Sequence, residues 1–140
     1  MYLEEVFILG PNKEFTVQGN CNYSGNSLFY GELYWDPNGT HLALVAFAGG
    51  GQTNATAIKT PYSRFATVAT TNDSGKLPTA QFGLGKMGIV TNAGANTLRI
   101  FPQVGEILNG VTNGNYDLAP GKTAMFIALS PSAWTSLSFA

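Results

Sequence analysis

With a single histidine and a single cysteine, this chain has few ways to do chemistry. Because His41 stands alone, a metal site built from several imidazoles is excluded, and any Ser-His-Asp triad must use it. It opens the apolar run Leu42-Ala43-Leu44-Val45-Ala46 beside Thr40, where an exposed structural side chain is the ordinary outcome. No serine stands in a G-x-S-x-G elbow. A thiol nucleophile would need Cys21 next to His41, and a lone cysteine otherwise reads as a small buried apolar residue. The carboxylates are Glu4, Glu5, Glu14, Glu32, Asp36, Asp73, Glu106 and Asp117. Any two across a cleft would serve a glycosidase. Most fall at turns or alternate outward, and none forms a D-x-[DN]-x-[DN]-G calcium loop, so they read as solvated or capping groups.

Gly83-Leu84-Gly85-Lys86-Met87-Gly88 matches the G-x-G-x-x-G string, with Glu106 about twenty residues on, as a dinucleotide fingerprint asks. The mechanism behind that fingerprint requires a helix to start inside the string, so that its N-terminus meets the pyrophosphate. Here Gly88-Ile89-Val90-Thr91-Asn92 follows, which reads as a strand running into a turn. The glycines are therefore expected to form a loop ahead of a strand. No catalytic residue, cofactor or metal is assigned, and an enzyme is not expected.

The elements that surround these residues are those of a β protein. Runs of four to eight strand-forming residues recur between Gly, Pro, Asn and Asp, and no window shows sustained helical periodicity. Leu28 to Trp35 and His41 to Ala48 flank Asp36-Pro37-Asn38-Gly39-Thr40, which predicts a hairpin. Gly49-Gly50-Gly51-Gln52-Thr53-Asn54 is expected to be the most mobile loop. Arg64 to Thr70 alternates as a half-buried strand, with its core side undecided. Further strands are expected over Met87–Thr91, Thr97–Phe101, Glu106–Asn109, Thr123–Leu129 and Trp134–Phe139. Ala119-Pro120-Gly121-Lys122 has the residues of a type II turn. The fold expected is one all-β domain, a β-sandwich or a jelly-roll-like barrel. Residues 1–12 contain the apolar Tyr2, Leu3, Val6 and Phe7 and read as an arm that reaches a neighbour. Tyr34 and Trp35 must point to opposite faces of their strand, so one of them is a candidate interface aromatic.

Charged residues make up only 11% of the 140 residues, so the surface must be neutral and hydrogen-bonding more than ionic. A formal charge of −1 with scattered basic residues argues against nucleic acid, which needs clustered Lys and Arg. Little self-repulsion favours association with copies or partners. The start, Met1-Tyr2-Leu3-Glu4-Glu5, lacks a basic signal-peptide region, and no apolar stretch is long enough to span a bilayer, so synthesis and folding in a cytoplasm are expected.

Residues 76–134 carry a longer pattern. It runs Leu77-Pro78, Ile89-Val90-Thr91-Asn92-Ala93-Gly94-Ala95-Asn96-Thr97-Leu98, Ile100-Phe101-Pro102, Gly105, Ile107, Asn109-Gly110, Leu118, Gly121-Lys122, Phe126 and Trp134. In this order the residues resemble a module of tailed-bacteriophage virion proteins, found in capsid decoration or cement proteins and in other head and tail components. The usual tyrosine after the Ile100-type position is Phe101 here. The resemblance implies that Leu98, Ile100, Ile107, Leu118, Phe126 and Trp134 supply a core and that no catalytic residues come with it. It implies a virion structural protein made in a bacterial cytoplasm, a cement protein bound to the major capsid protein as a homotrimer on the capsid surface. A tail, baseplate or fibre component, or a carbohydrate-binding module, are the alternatives. Residues 1 to about 70 match no such pattern.

Overall fold

The computed structural model describes residues 40–81 and 86–138, and all of them belong to one compact unit. They form eleven strands: β1 (Thr40–Val45), β2 (Thr56–Ala57), β3 (Tyr62–Thr67), β4 (Ser74–Lys76), β5 (Met87–Asn92), β6 (Leu98–Phe101), β7 (Ile107–Leu108), β8 (Val111–Thr112), β9 (Tyr116–Leu118), β10 (Thr123–Ser130) and β11 (Ala133–Ser138). Among the described residues there is no helix.

The first six strands alternate between two sheets, and from β3 to β6 each pairs in parallel with the strand two places before it. Thr40, Tyr62 and Ile89 are successive partners in the larger sheet, while Thr56, Gly75 and Ile100 are successive partners in the smaller one. The chain thus advances in coils, a β-solenoid arrangement. Antiparallel pairing enters as β9 joins β6 and β10 joins β5. The larger sheet runs β1-β3-β5-β10-β11-β7-β8 and the smaller β2-β4-β6-β9.

The all-β expectation therefore holds, and the sandwich or jelly-roll barrel is corrected to this coil. Those folds join neighbouring strands by tight turns that set them antiparallel, whereas a parallel pair needs a longer crossover. Residues 46–55 and 68–73 are such crossovers, carrying the chain to the opposite sheet instead of back along the same one. β1 begins where the second strand of the expected hairpin was placed, but its neighbour among the described residues is the parallel β3. The first strand of that hairpin lies outside the described residues.

The core lies between the sheets. Phe65, Val90, Phe126, Ala128 and Trp134 enter it from the larger sheet, and Leu98, Ile100 and Leu118 from the smaller. Tyr116 meets Phe126 edge to face, with ring centroids 5.7 Å apart. Of the six core residues implied by the resemblance, five are buried. Ile107 is only half-buried and Leu108 takes the inner place, because in the two-residue β7 the register against β11 sets Leu108 opposite Trp134. In β3 it is Phe65 that faces the core, and the alternation ends at Thr67, after which Val68 turns inward. The turn ahead of β10 is as expected, with Lys122 N–H donating to the Ala119 carbonyl at 3.2 Å and Gly121 at φ +72°.

Facing strands approach closely at Gly75, where an added Cβ would sit 2.6 Å from the Phe65 ring. Both residues are fully inside, so neither side chain has room to retreat. Gly75→Ala is expected to destabilise the fold by about 1–3 kcal/mol, read as a lower urea midpoint with an unchanged slope.

Candidate functional site

Among the described residues, those singled out for chemistry do not converge. His41 lies opposite Ser63 in the β1–β3 register, the one place among the described residues where a serine is its cross-strand partner. The Ser63 hydroxyl is buried and engaged by Thr60, at 2.9 Å from its Oγ1 and 3.4 Å from its carbonyl. Gly83 to Gly85 lie outside the described residues, and the end of the string, Met87-Gly88, already belongs to β5, a strand and not a helix. Among the described residues no three His, Cys, Asp or Glu side chains gather into a metal site, and no helix is long and apolar enough to cross a membrane.

Two carboxylates depart from their expected solvated roles. Asp73 is buried and accepts three hydrogen bonds: from Thr70 N–H at 2.9 Å, the Thr70 hydroxyl at 2.6 Å and Gly49 N–H at 3.1 Å. The Thr70 hydroxyl above all, with the surrounding N–H donors, holds this carboxyl below the usual carboxylate range against the opposing effect of burial. Glu106 is buried too. Its Oε1 accepts from Ala80 N–H and the Thr79 hydroxyl, both at 2.9 Å, and its Oε2 from Trp134 Nε1–H at 3.0 Å. It joins the 79–80 segment to β11, a structural strut in the place where a ribose-binding acid was weighed. The burial of Glu106 was not readable from sequence, since all its donors lie more than twenty residues away, whereas Asp73 takes two of its three bonds from nearby Thr70 and only the third, from Gly49, across coils. Asp117 keeps the expected exposed position and forms a bidentate pair with Arg99 across β6 and β9, at 2.7 and 2.9 Å. That hydrogen-bonded partner lowers its carboxyl below the ordinary range.

Asp73 also decides the glycine loop. Besides the Gly49 bond, Phe47 and Ser74 exchange two backbone hydrogen bonds, the Ser74 hydroxyl donates to the Gly51 carbonyl, and Gln52 Nε2 donates to the Pro102 carbonyl at 3.0 Å. Within the stretch expected to be most mobile, Gly49, Gly51, Gln52 and Thr53 are each tied, Thr53 through its carbonyl, which accepts from Lys76 Nζ at 3.0 Å. Asparagines do similar work elsewhere: buried Asn92 donates to the Asn96 and Leu118 carbonyls and accepts from Gly94 N–H.

The larger sheet also presents an apolar surface. On the face of the larger sheet turned from the core, Tyr62, Ile89, Met125 and Leu137 are cross-strand partners in one row over β3, β5, β10 and β11. Met87, Ile127 and Thr135 form the next row. Leu137 and Met87 are about half exposed, at 51% and 46%. Sequence alone missed this face, because its residues come from four separated strands. No protein-family model and no curated protein matches this chain. The interface residues named from sequence, Tyr2, Leu3, Val6, Phe7, Tyr34 and Trp35, lie outside the described residues, as does Cys21.

Proposed function

We propose that this chain is a structural protein of a tailed-bacteriophage particle, a cement protein that binds the major capsid protein on the outer face of the head as a homotrimer. The observation that carries a binding role is the apolar outer face of the larger sheet, continuous across four strands. Met87 and Leu137 stand exposed in its two rows beside half-buried Tyr62, Ile89, Met125 and Ile127, an arrangement suited to burial against a partner. The resemblance of residues 76–134 supplies the kind of partner. A specific interface of this sort needs roughly 800 Å2 from each side, with large apolar side chains as anchors.

Copy number tests the reading. Mass spectrometry of purified particles should find the chain near parity with the major capsid protein. A few copies per particle would move it to the tail, baseplate or fibre, and its absence from particles would end the reading.

A further inference from the structure

Two corners of the coil, where the chain passes from the smaller sheet to the larger, stack on one another. Residues 58–61 link β2 to β3, and the segment that begins at Leu77-Pro78 leads on to β5. A cavity of about 320 Å3 lies along them, bounded on its inner side by the buried Ile58, Leu77 and Trp134 and on its outer side by the exposed Lys59, Lys86 and Met87. That volume is at the lower end of what ligand pockets hold and suits one or two apolar side chains.

The two lysines give this apolar groove a sign. Among the described residues Lys86 Nζ donates to the Thr79 carbonyl, at 3.3 Å, and the ion pair found is Arg99–Asp117. The nearby buried acid, Glu106, is committed to Trp134, Thr79 and Ala80. The groove therefore asks for an occupant that carries apolar side chains next to carboxylates. The chain contains such a segment at residues 1–9, where Leu3, Val6 and Phe7 surround Glu4 and Glu5.

We infer that the corner groove receives residues 1–9 of a second copy, an apolar side chain filling the cavity while Glu4 and Glu5 meet Lys59 and Lys86. This inference rests on the self-association in the proposed function and is independent of the capsid. Two apolar and charged ends on one chain form a head-to-tail contact, which closes into a ring when the rotation permits, as a trimer requires.

Sedimentation velocity of the full chain over a range of concentrations tests it by charge exchange. The wild type should associate. Lys59→Glu with Lys86→Glu should weaken association about ten-fold or more, as should Glu4→Lys with Glu5→Lys, and the four changes together should restore it. Both lysines are exposed, so folding should survive, which circular dichroism checks. Lys59→Gln with Lys86→Gln gives a smaller loss in the same direction should the reversed pair not fold. A wild type that stays monomeric, reversed pairs that associate as tightly as the wild type, or a fourfold variant no tighter than either pair overturns the inference. A chain that binds particles as a monomer also overturns it, removing the homotrimer from the capsid reading while leaving capsid binding standing.

Discussion

Glu106→Ala is expected to lower the free energy of unfolding by about 3–5 kcal/mol, the sum of the buried donors left unsatisfied and the packing lost. The loss has two sources. Ala80 N–H and Trp134 Nε1–H would be left inside without acceptors, each costing about 1–3 kcal/mol, and the missing side chain opens space beside the largest core residue. Glu106→Gln keeps one acceptor oxygen but turns an amide N–H2 toward a donor, so a loss of about half that size is expected. Trp134→Phe keeps most of the ring's packing and removes only the Nε1 bond, and in a double-mutant cycle with Glu106→Gln its loss should be less than additive. Urea unfolding of the four proteins measures this. A Glu106→Ala protein within about 1 kcal/mol of wild type would mean the strut is not formed.

The second large effect belongs to Asp73. Asp73→Ala removes the acceptor for three donors and should cost about 2–4 kcal/mol, with residues 49–54 becoming a new site of proteolytic cleavage. The carboxylate also makes stability depend on pH. Its folded-state pKa lies below the unfolded one, so its contribution is fully present above the unfolded carboxylate range and is lost as pH falls through the folded value. Wild-type stability should decline from about pH 5 downward, and Asp73→Asn, less stable at neutral pH, should show a shallower decline. Asp117 titrates in the same sense, but its pair with Arg99 is exposed and screened, so removing it should change the profile little. An unchanged acid slope in Asp73→Asn would place the acid-sensitive group elsewhere.

How much of this was legible in the sequence follows from range. Strands such as Thr123–Ser130 and Ala133–Ser138, and the Pro120-Gly121 turn between Leu118 and Thr123, are set by neighbours a few residues apart, and they lie where alternation and turn chemistry put them. Parallel coiling was not legible. The coils differ in length, with Thr40, Tyr62 and Ile89 stacked at unequal intervals, so no fixed repeat marks them. The tying of Gly49 to Asn54 was hidden for the same reason, since Asp73 and Pro102 reach it only across coils. Three glycines in a row describe the freedom of an unfolded segment and not the bonds that later hold it. The candidate site was the least legible part, because an apolar sheet face assembled from β3, β5, β10 and β11 has no signature in any one of them.

Imaging the intact particle by electron cryomicroscopy tests the central claim most directly. The account predicts density for the two-sheet coil at symmetry-related positions on the outer capsid face, with the row Tyr62, Ile89, Met125 and Leu137 buried against protein. Capsid density fully explained without this chain, or the coil present with that row facing solvent, would contradict it.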